Sequence, residues 1–235
     1  PNSVLNYKFV TDAITRLKLQ GRRFTYKHNP VRRGIGNARN IANQLHDNPL
    51  CCRIDDDSIC EPDYLQQLHD LFYGISSGFD DTLGAAGGLV PLWGAPNPVR
   101  ETRFVRDKFN KITFSNDKVE ITDDGGMLYA PDQILDSDHL RSSFMYSRKA
   151  AEEVGLYPDW NGVIGWREET VFCMKLKWAG YRLLTNTAAI AWHAPARSGG
   201  ARLSPQDYYN LQMQIEAAFQ KWALRKFKKA GDKYG

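Results

Sequence analysis

The chain has 235 residues, of which 42% are apolar and 25% are charged, which is the usage of a globular protein and excludes a disordered one. Its formal net charge of +4 is compatible with an anionic partner but does not predict nucleic-acid binding. No apolar run of about 18 residues and no signal peptide is visible, so we expect neither a membrane-spanning helix nor export. We predict one cytoplasmic domain over residues 1–235, with reduced thiols at its four cysteines, which lack zinc-site spacing.

The first third of the chain alternates between two periodicities. Apolar side chains recur every three to four residues where we predict a helix, and every second residue where we predict a strand. Glycine, proline and asparagine stand between these segments, as expected of turns. The predicted elements are a helix over 12–20, a strand over 23–28, a helix over 37–47, a strand over 50–54 and a helix opened by Glu61, Pro62 and Asp63.

The rest of the chain continues this alternation after an irregular stretch. Residues 91–139 are rich in proline, aspartate and glycine, with strand-like patches near Phe104 and Ile112. Alternating strands and helices predict an α/β fold: a Rossmann-like, mostly parallel sheet with a mixed second half and helices on both faces. The other predicted elements are a strand over 82–90, a strand over 142–147, a short helix over 148–155, a helix over 168–180, a strand or strand pair over 181–193 and an amphipathic helix over 205–230.

Three consecutive aspartates, Asp55, Asp56 and Asp57, follow the predicted strand over 50–54. The carboxyl end of a strand is where α/β sheets bind ligands. Adjacent carboxylates repel one another, so we expect a counter-charge, either a divalent cation such as Mg²⁺ or Mn²⁺ or a protein cation such as arginine. The alternative is a solvated acidic turn that favours the amino terminus of the following helix.

A basic loop with two glycines spans residues 29–40. Gly34 and Gly36 would allow the backbone to approach a ligand closely. Arg32, Arg33 and Arg39 could meet phosphate charge. The loop matches neither the Walker pattern nor the dinucleotide fingerprint, so a plain basic turn is the competing interpretation.

Two further positions carry side chains suited to catalysis. Glu168 and Glu169 open a predicted helix, where one could act as a general base or both could simply favour the helix terminus. Trp166 beside them offers either a flat apolar face for a ligand or a core side chain. His193 ends an apolar strand before a glycine-containing loop, where it is either a metal ligand or a structural residue.

Four segments, considered together, carry a family resemblance. They are the glycine turn with Ala-Arg-Asn in NPVRRGIGNARNIA, the strand-end acidic region in RIDDDSICEPDYLQQL, the strand and turn in SSFMYSRKAAEEVGLYPD, and the acidic helix start with a later histidine in GWREETVFCMKLKWAGYRLLTNTAAIAWH. In this order they resemble the inverting, family-2-type glycosyltransferases of the GT-A fold. They cover roughly residues 25–195, and it is their combination that is specific.

The resemblance implies an enzyme that moves a sugar from a nucleotide-diphosphate sugar to an acceptor hydroxyl of a glycan, glycolipid or polysaccharide. It implies Mn²⁺ or Mg²⁺ as cofactor, bound by Asp57 and His193, and we expect this ion, not a side chain of the protein, to be the counter-charge of the three aspartates. It also implies that Glu169, with Glu168 beside it, supplies the catalytic base. The nucleotide sugar would be bound by residues that line one pocket: Arg39, Gly36, Asp55, Asp56 and Trp166.

Two departures from the family pattern matter. The family commonly has Glu-Asp at the acidic helix start, whereas this chain has Glu168-Glu169, so the choice of base between them stays open. The family fold also begins with an apolar strand that helps to hold the nucleotide base, and nothing before Tyr7 looks like that strand. We expect that an amino-terminal segment is missing from the chain, which begins at Pro1.

Other functions remain open from the sequence. A nucleotidyltransferase of related fold would also use carboxylates and a metal, but it would need a basic, glycine-rich phosphate loop at the amino end. A non-catalytic domain could bind a sugar nucleotide or a protein without transfer. The last helix ends in RKFKKAGDK, so it either packs on the domain or contacts the inner face of an anionic membrane, where lipid-linked acceptors reside.

Overall fold

The computed structural model describes residues 3–29, 34–74, 78–95, 99–100, 109–115, 117–129, 133–158, 165–195 and 203–231. Its helices are α1 (Lys8–Leu19), α2 (Ile35–Asn43), α3 (Tyr64–Tyr73), α4 (Arg148–Glu153), α5 (Glu168–Trp178) and α6 (Pro205–Gly231). Its strands are β1 (Leu50–Arg53), β2 (Ser58–Cys60), β3 (Leu83–Leu89), β4 (Val99–Arg100), β5 (Ile112–Phe114), β6 (Val119–Ile121), β7 (Leu128–Tyr129), β8 (Ile134–Asp136), β9 (Phe144–Ser147) and β10 (Arg182–His193).

Six strands form one mixed sheet in the order β1-β9-β3-β10-β2, and β8 also pairs with β10. β3 and β10 are parallel neighbours, whereas β9 lies antiparallel between β1 and β3. β2 and β8 both run against β10. As a result, β1, β3 and β10 point the same way and their carboxyl ends meet at one edge of the sheet. The predicted α/β architecture with a mixed sheet is confirmed.

The sheet is covered on both faces because its strands alternate their side chains between two cores. On β9, Phe144 and Tyr146 pack with α4 and α5, while Met145 between them packs with α3. The adjacent cysteines of β1 divide in the same way, since Cys51 belongs to the first core and Cys52 packs against the second. All four cysteines are free, as the sequence predicted.

Close packing of β3 and β10 determines where β10 ends. A Cβ on Gly88 would clash with the carbonyl group of Ala189, so only glycine fits where the two strands change register. Past this point, the backbone N–H of His193 donates to the Pro91 carbonyl, and the His193 carbonyl accepts from Trp93 N–H, both at 2.8 Å. β10 thereby extends beyond β3 and carries His193 to the edge where β1 also ends.

The predicted strand over 23–28 is wrong. Those residues have no regular structure, all are exposed, and none belongs to a strand pairing of the described chain. Alternating side chains predicted the strand, but a strand is stable only with a neighbour that binds its backbone. The patch near Ile112 is β5, whereas Phe104 lies outside the described residues. The expected amino-terminal strand stays a prediction.

The last helix begins at Pro205, as predicted, and packs against the domain. Its fully buried side chains, Phe219 and Ala223, form a small core with Val119 of β6 and with Val171 and Met174 of α5. This contact lies on the same helix that carries Glu168 and Glu169 at its start. Among the described helices, none combines the length and hydropathy needed to cross a bilayer.

Candidate functional site

The turn after β1 brings Asp57 to His193. Ser58 N–H donates to the Asp55 carbonyl at 3.1 Å, which closes the turn, and β2 then returns along β10 with Ser58 opposite His193. The Asp57 carbonyl accepts from Ala194 N–H at 2.7 Å, so the turn is also bound to the residue after β10. Asp57 Oδ2 and His193 Nε2 are 3.3 Å apart. Two residues 136 positions apart in sequence therefore meet at this edge of the sheet, while their role as metal ligands stays a prediction.

The Asp57–His193 pair fits part of a metal site. Both side chains remain accessible, with exposed fractions of 29% and 37%. Within the described residues, no group of three or more histidine, cysteine or acidic side chains is arranged to hold a metal ion. Mg²⁺ and similar ions are commonly bound through one or two protein ligands together with substrate phosphates and water. The pair thus suits an ion whose remaining ligands come from a bound diphosphate.

Arginines provide the counter-charge of Asp55, so the expectation that this charge lies outside the protein is wrong for Asp55. Arg53, the last residue of β1, contacts Asp55 Oδ1 through Nη2 and donates to Glu169 Oε1 through Nη1 at 2.7 Å. Arg39 of α2 donates to Glu168 Oε1 at 2.6 Å, and its Nη2 lies 3.4 Å from Glu169 Oε1 and 3.6 Å from Asp55 Oδ1. Two cations and three carboxylates thus form one network that joins β1, α2 and α5.

Both arginines are held away from water. The side chains of Arg53 and Arg39 are only 7% and 14% exposed, and their guanidinium carbons lie 5.5 Å above the Phe144 ring and 5.3 Å above the Tyr157 ring. Burial alone would lower the pKa of Arg53, but negative charge, above all that of Glu169, outweighs it and raises that pKa. Such cations are tolerated in a protein interior only because they are paired.

The two glutamates are in different electrostatic environments. Burial, reinforced by the charge of Glu169, raises the pKa of Glu168 to about 7. Burial also acts on Glu169, but Arg53 and Arg39 outweigh it and lower its pKa to about 2. Glu168 Oε2 is buried without a hydrogen-bond partner in the described structure, whereas the Glu169 side chain is 19% exposed. Glu169 is therefore the more readily ionised of the two side chains, and Glu168 is the one that more readily takes up a proton.

The sequence profile of "Glycosyl transferase family 2" matches residues 10–155, the part of the chain that contains α2, β1 and the three aspartates. The chain belongs to this family. No curated protein matches it significantly.

Solved glycosyltransferase structures share the fold, at low sequence identity. GalNAc-T7 with UDP, GalNAc and Mn²⁺ superposes with a TM-score of 0.60 at 16% identity, covering 89% of this chain and 39% of that protein. TarS 1–349 of S. aureus, in complex with UDP-GlcNAc, gives 0.52 at 12% identity, with 89% and 53% covered. The mannosyltransferase PcManGT from Pyrobaculum calidifontis, with GDP-Man and Mn²⁺, gives 0.50 at 13% identity, with 83% and 46% covered. The chain spans about half or less of the length of these proteins, and the likeness shows a GT-A fold.

In this family-2 chain, the residues ahead of α5 are bound to α6. Arg167 precedes the helix with a left-handed backbone, φ 66°, a conformation that costs a residue other than glycine about 1–2 kcal/mol. Its Nε donates to Glu216 Oε2 at 2.8 Å, and Trp166 Nε1 donates to the same oxygen at 2.9 Å. Trp166 is thus held against α6, a contact that the sequence did not predict.

Among the described residues, the others that the sequence suggested for the site do not belong to the arginine–carboxylate network. Gly36 is buried in α2, where a Cβ would clash with the Pro158 carbonyl, so packing alone accounts for this glycine. Gly34 precedes the same helix with φ 87°. Asp56 is exposed at the tip of its turn. Arg32 and Arg33 lie outside the described residues.

Sequence reasoning missed Arg53, which contacts both Asp55 after β1 and Glu169 of α5. One signal was present, since an arginine at the end of a buried strand and directly before acidic residues needs a partner. Its second partner, Glu169, is 116 residues away in the sequence and gave no local signal.

We expect Glu216→Ala to lower the free energy of unfolding by about 1–3 kcal/mol at neutral pH, because Trp166 and Arg167 lose their acceptor. Burial tends to raise the pKa of Glu216, but hydrogen bonds from Arg167, Gln220 and Trp166 outweigh it and lower that pKa. The contribution is thus present above the unfolded-state pKa and is lost as pH falls through the folded-state pKa.

Urea unfolding at neutral and acidic pH measures this effect, and the two proteins should converge in acid. Glu120→Ala, at an exposed carboxylate, is the matched control and should change little. An undiminished difference at low pH would show that the Glu216 carboxylate charge is not responsible.

Proposed function

We propose that this chain is a metal-dependent, inverting glycosyltransferase that moves a sugar from a nucleotide-diphosphate sugar to an acceptor hydroxyl. The observation that carries the proposal is that one buried network joins Glu169 to Asp55, two residues before the Asp57 that contacts His193. A base candidate and donor-binding groups are thereby combined at the ligand-binding edge of an α/β sheet. Family membership and the fold shared with nucleotide-sugar complexes support this donor class.

The donor would bind at the carboxyl ends of β1 and β10. Asp55 would contact the ribose or base, and Arg39 would line the nucleotide pocket beside it, with Asp56 and Trp166 as further proposed contacts. Gly36 would act only indirectly, because it is buried in α2 and allows that helix to pack closely. Asp57 and His193 would hold Mn²⁺ or Mg²⁺ at the diphosphate. When bound, such an ion acts as a Lewis acid that offsets negative charge on the leaving group.

Glu169 is the proposed base. The acceptor hydroxyl gives its proton to the Glu169 carboxylate while its oxygen forms a bond to the anomeric carbon, and the bond from that carbon to the diphosphate oxygen breaks with its electron pair. One displacement inverts the anomeric configuration, so a single carboxylate suffices. Glu169 is assigned this role because its side chain is 19% exposed and is joined through Arg53 to Asp55, whereas the Glu168 side chain is 8% exposed and contacts only Arg39 of the two arginines.

The acceptor is proposed to be a carbohydrate or a lipid-linked sugar, reached in the cytoplasm at the inner face of a membrane. α6 supports a peripheral membrane contact because it exposes Tyr209 and Met213 while its buried side packs on the domain. Basic residues Arg225, Lys226 and Lys228 follow towards its end. Aromatic and basic side chains on one helix are typical of interfacial binding.

Asp57→Asn should abolish the stabilisation that a nucleoside diphosphate with Mn²⁺ gives to the wild-type protein. Free ligand at 100 times its Kd contributes about 2.7 kcal/mol, which raises the Tm of a protein of this size by roughly 5–10 °C. The measurement is thermal unfolding with UDP or GDP, and Asp70→Asn, at an exposed site on α3, is the control that should keep the shift.

An equal shift in excess chelator would contradict the metal role. Release of UDP, GDP or TDP from the matching sugar donor would support glycosyl transfer. Formation of pyrophosphate from a nucleoside triphosphate and a sugar phosphate would instead indicate a nucleotidyltransferase.

Glu169→Gln should reduce kcat by about 10²- to 10⁴-fold with little change in donor affinity, because the amide cannot accept the acceptor proton. Steady-state transfer kinetics together with donor binding by calorimetry measure both effects. Glu168→Gln is the matched control, and it should lose much less activity. If transfer survives in Glu169→Gln but disappears in Glu168→Gln, the assigned base is wrong.

Reversing charge at the end of α6, in Lys226→Glu with Lys228→Glu, should weaken binding to anionic vesicles. Each basic residue near such a surface contributes about 1 kcal/mol. Sedimentation with phosphatidylserine-containing vesicles at several salt concentrations measures the effect, and Lys149→Glu on α4 is the control. Failure of the wild-type protein to bind vesicles at any salt concentration would contradict a membrane contact.

A further inference from the structure

Arg53 binds two carboxylates that have different proposed tasks. Its Nη1 donates to Glu169 Oε1 at 2.7 Å, on the helix that carries the proposed base. Its Nη2 contacts Asp55 Oδ1, in the turn that is proposed to hold the nucleotide. One planar guanidinium group therefore fixes the position of the base relative to the donor-binding turn.

The guanidinium group is itself immobilised by the sheet. Arg53 is the last residue of β1 and pairs with Phe144 of the neighbouring strand β9. Its guanidinium carbon lies 5.5 Å from the centre of the Phe144 ring. Its side chain is 7% exposed. Both terminal nitrogens of Arg53 bind a carboxylate at the same time, and the buried group cannot turn into solvent. The position of Glu169 relative to the sheet is therefore determined by Arg53.

The contact also determines which oxygen of Glu169 is presented to a substrate. Arg53 and Arg39 both contact Oε1 of Glu169. A carboxylate whose first oxygen is bound on one side presents its second oxygen in a fixed direction. A proton acceptor needs this, since misplacement by about 1 Å can cost about 10²-fold in rate.

We propose that Arg53 is a positioning residue for the glycosyl-transfer reaction, which holds the Glu169 carboxylate in register with the donor bound at Asp55. The inference rests on the proposed function, because Glu169 and Asp55 have their roles only there. It adds a residue of β1 to which neither the family resemblance nor the sequence pattern gave a role.

The charges around Glu169 give the sign of the expected pH effect. It faces Arg53 from β1, Arg39 from α2, Glu168 and Cys173 on its own helix, and the Tyr157 hydroxyl after α4. Of these, Arg53 is the strongest influence that lowers the pKa of Glu169, against burial that raises it. Removal of Arg53 should raise this pKa, so activity that needs ionised Glu169 should be lost at a higher pH as the solution is acidified.

The test compares Arg53→Met and Arg53→Lys with the wild-type protein in pH profiles of kcat at saturating donor and acceptor. Arg53→Met should lower kcat by about 10²-fold and move the acid limb upward by at least about one pH unit. Arg53→Lys keeps the charge but cannot form the two-pronged contact, so the limb should return towards its wild-type position while kcat stays reduced.

If Arg53 had only a structural role, its loss would lower stability without moving the acid limb. Arg148→Met is the control that shows this behaviour. Arg148 is similarly buried, at 14% exposure, and donates to the Asn43 and Asn48 carbonyls outside the network. Its variant should lose stability without any change in the acid limb. If Arg53→Met likewise lost only stability and kept the wild-type limb, the positioning role would be refuted.

A second readout separates this inference from the proposed function. Carboxyl NMR of protein labelled with ¹³C-glutamate, with the Glu169 signal identified by its absence in Glu169→Gln, should show titration at higher pH in Arg53→Met. Absence of that shift overturns the inference even if transfer is observed. A wild-type protein that transfers no sugar from any nucleotide-sugar donor overturns the proposed function and leaves Arg53 no reaction to serve, whatever the NMR shows.

Discussion

The candidate site depends on two arginines that are buried among three carboxylates. A buried cation is unstable unless its partners are in place, and a buried carboxylate is unstable for the same reason. Arg39, Arg53, Asp55, Glu168 and Glu169 therefore require one another, and α2, β1 and α5 can reach their observed positions only together. Such a network contributes little net stability, because the cost of removing its charges from water offsets their mutual attraction. Its effect is to restrict these three elements to one arrangement.

The network has one excess negative charge when its three carboxylates are ionised, because it contains only two arginines. The structure accommodates that excess unequally, because Glu169 contacts both arginines and Glu168 only Arg39. A proton on Glu168 balances the network close to neutrality. An anionic ligand bound beside Arg39 would alter this balance, so its binding would be linked to the protonation of the glutamate pair.

Much of the fold could be predicted from sequence because it rests on local periodicity. The helices α1 to α6 and the strands β1, β3, β9 and β10 follow apolar patterns that continue over several residues. Residues 23–28 have such a pattern without a neighbouring strand, so the strand predicted from the pattern alone is wrong. The resemblance implied Asp57 and His193 as ligands of one metal ion, and their side chains lie 3.3 Å apart, but the metal role stays a prediction. The contacts of Arg53 with Glu169 and of Trp166 with Glu216 depend on tertiary packing, which leaves no trace in spacing.

The hydrogen bonds from Trp166 and Arg167 to Glu216 also bear on when the site can form during synthesis. Residues 36 to 193 contain every proposed donor-binding and base residue. The side chains of Trp166 and Arg167, which stand directly before α5, nevertheless donate to Glu216 of α6, a helix that is synthesised later. A nascent chain that has emerged only as far as β10 has a sheet but lacks the group that accepts these hydrogen bonds. The start of α5 should therefore be the last part of the site to become ordered, after α6 has left the ribosome and docked.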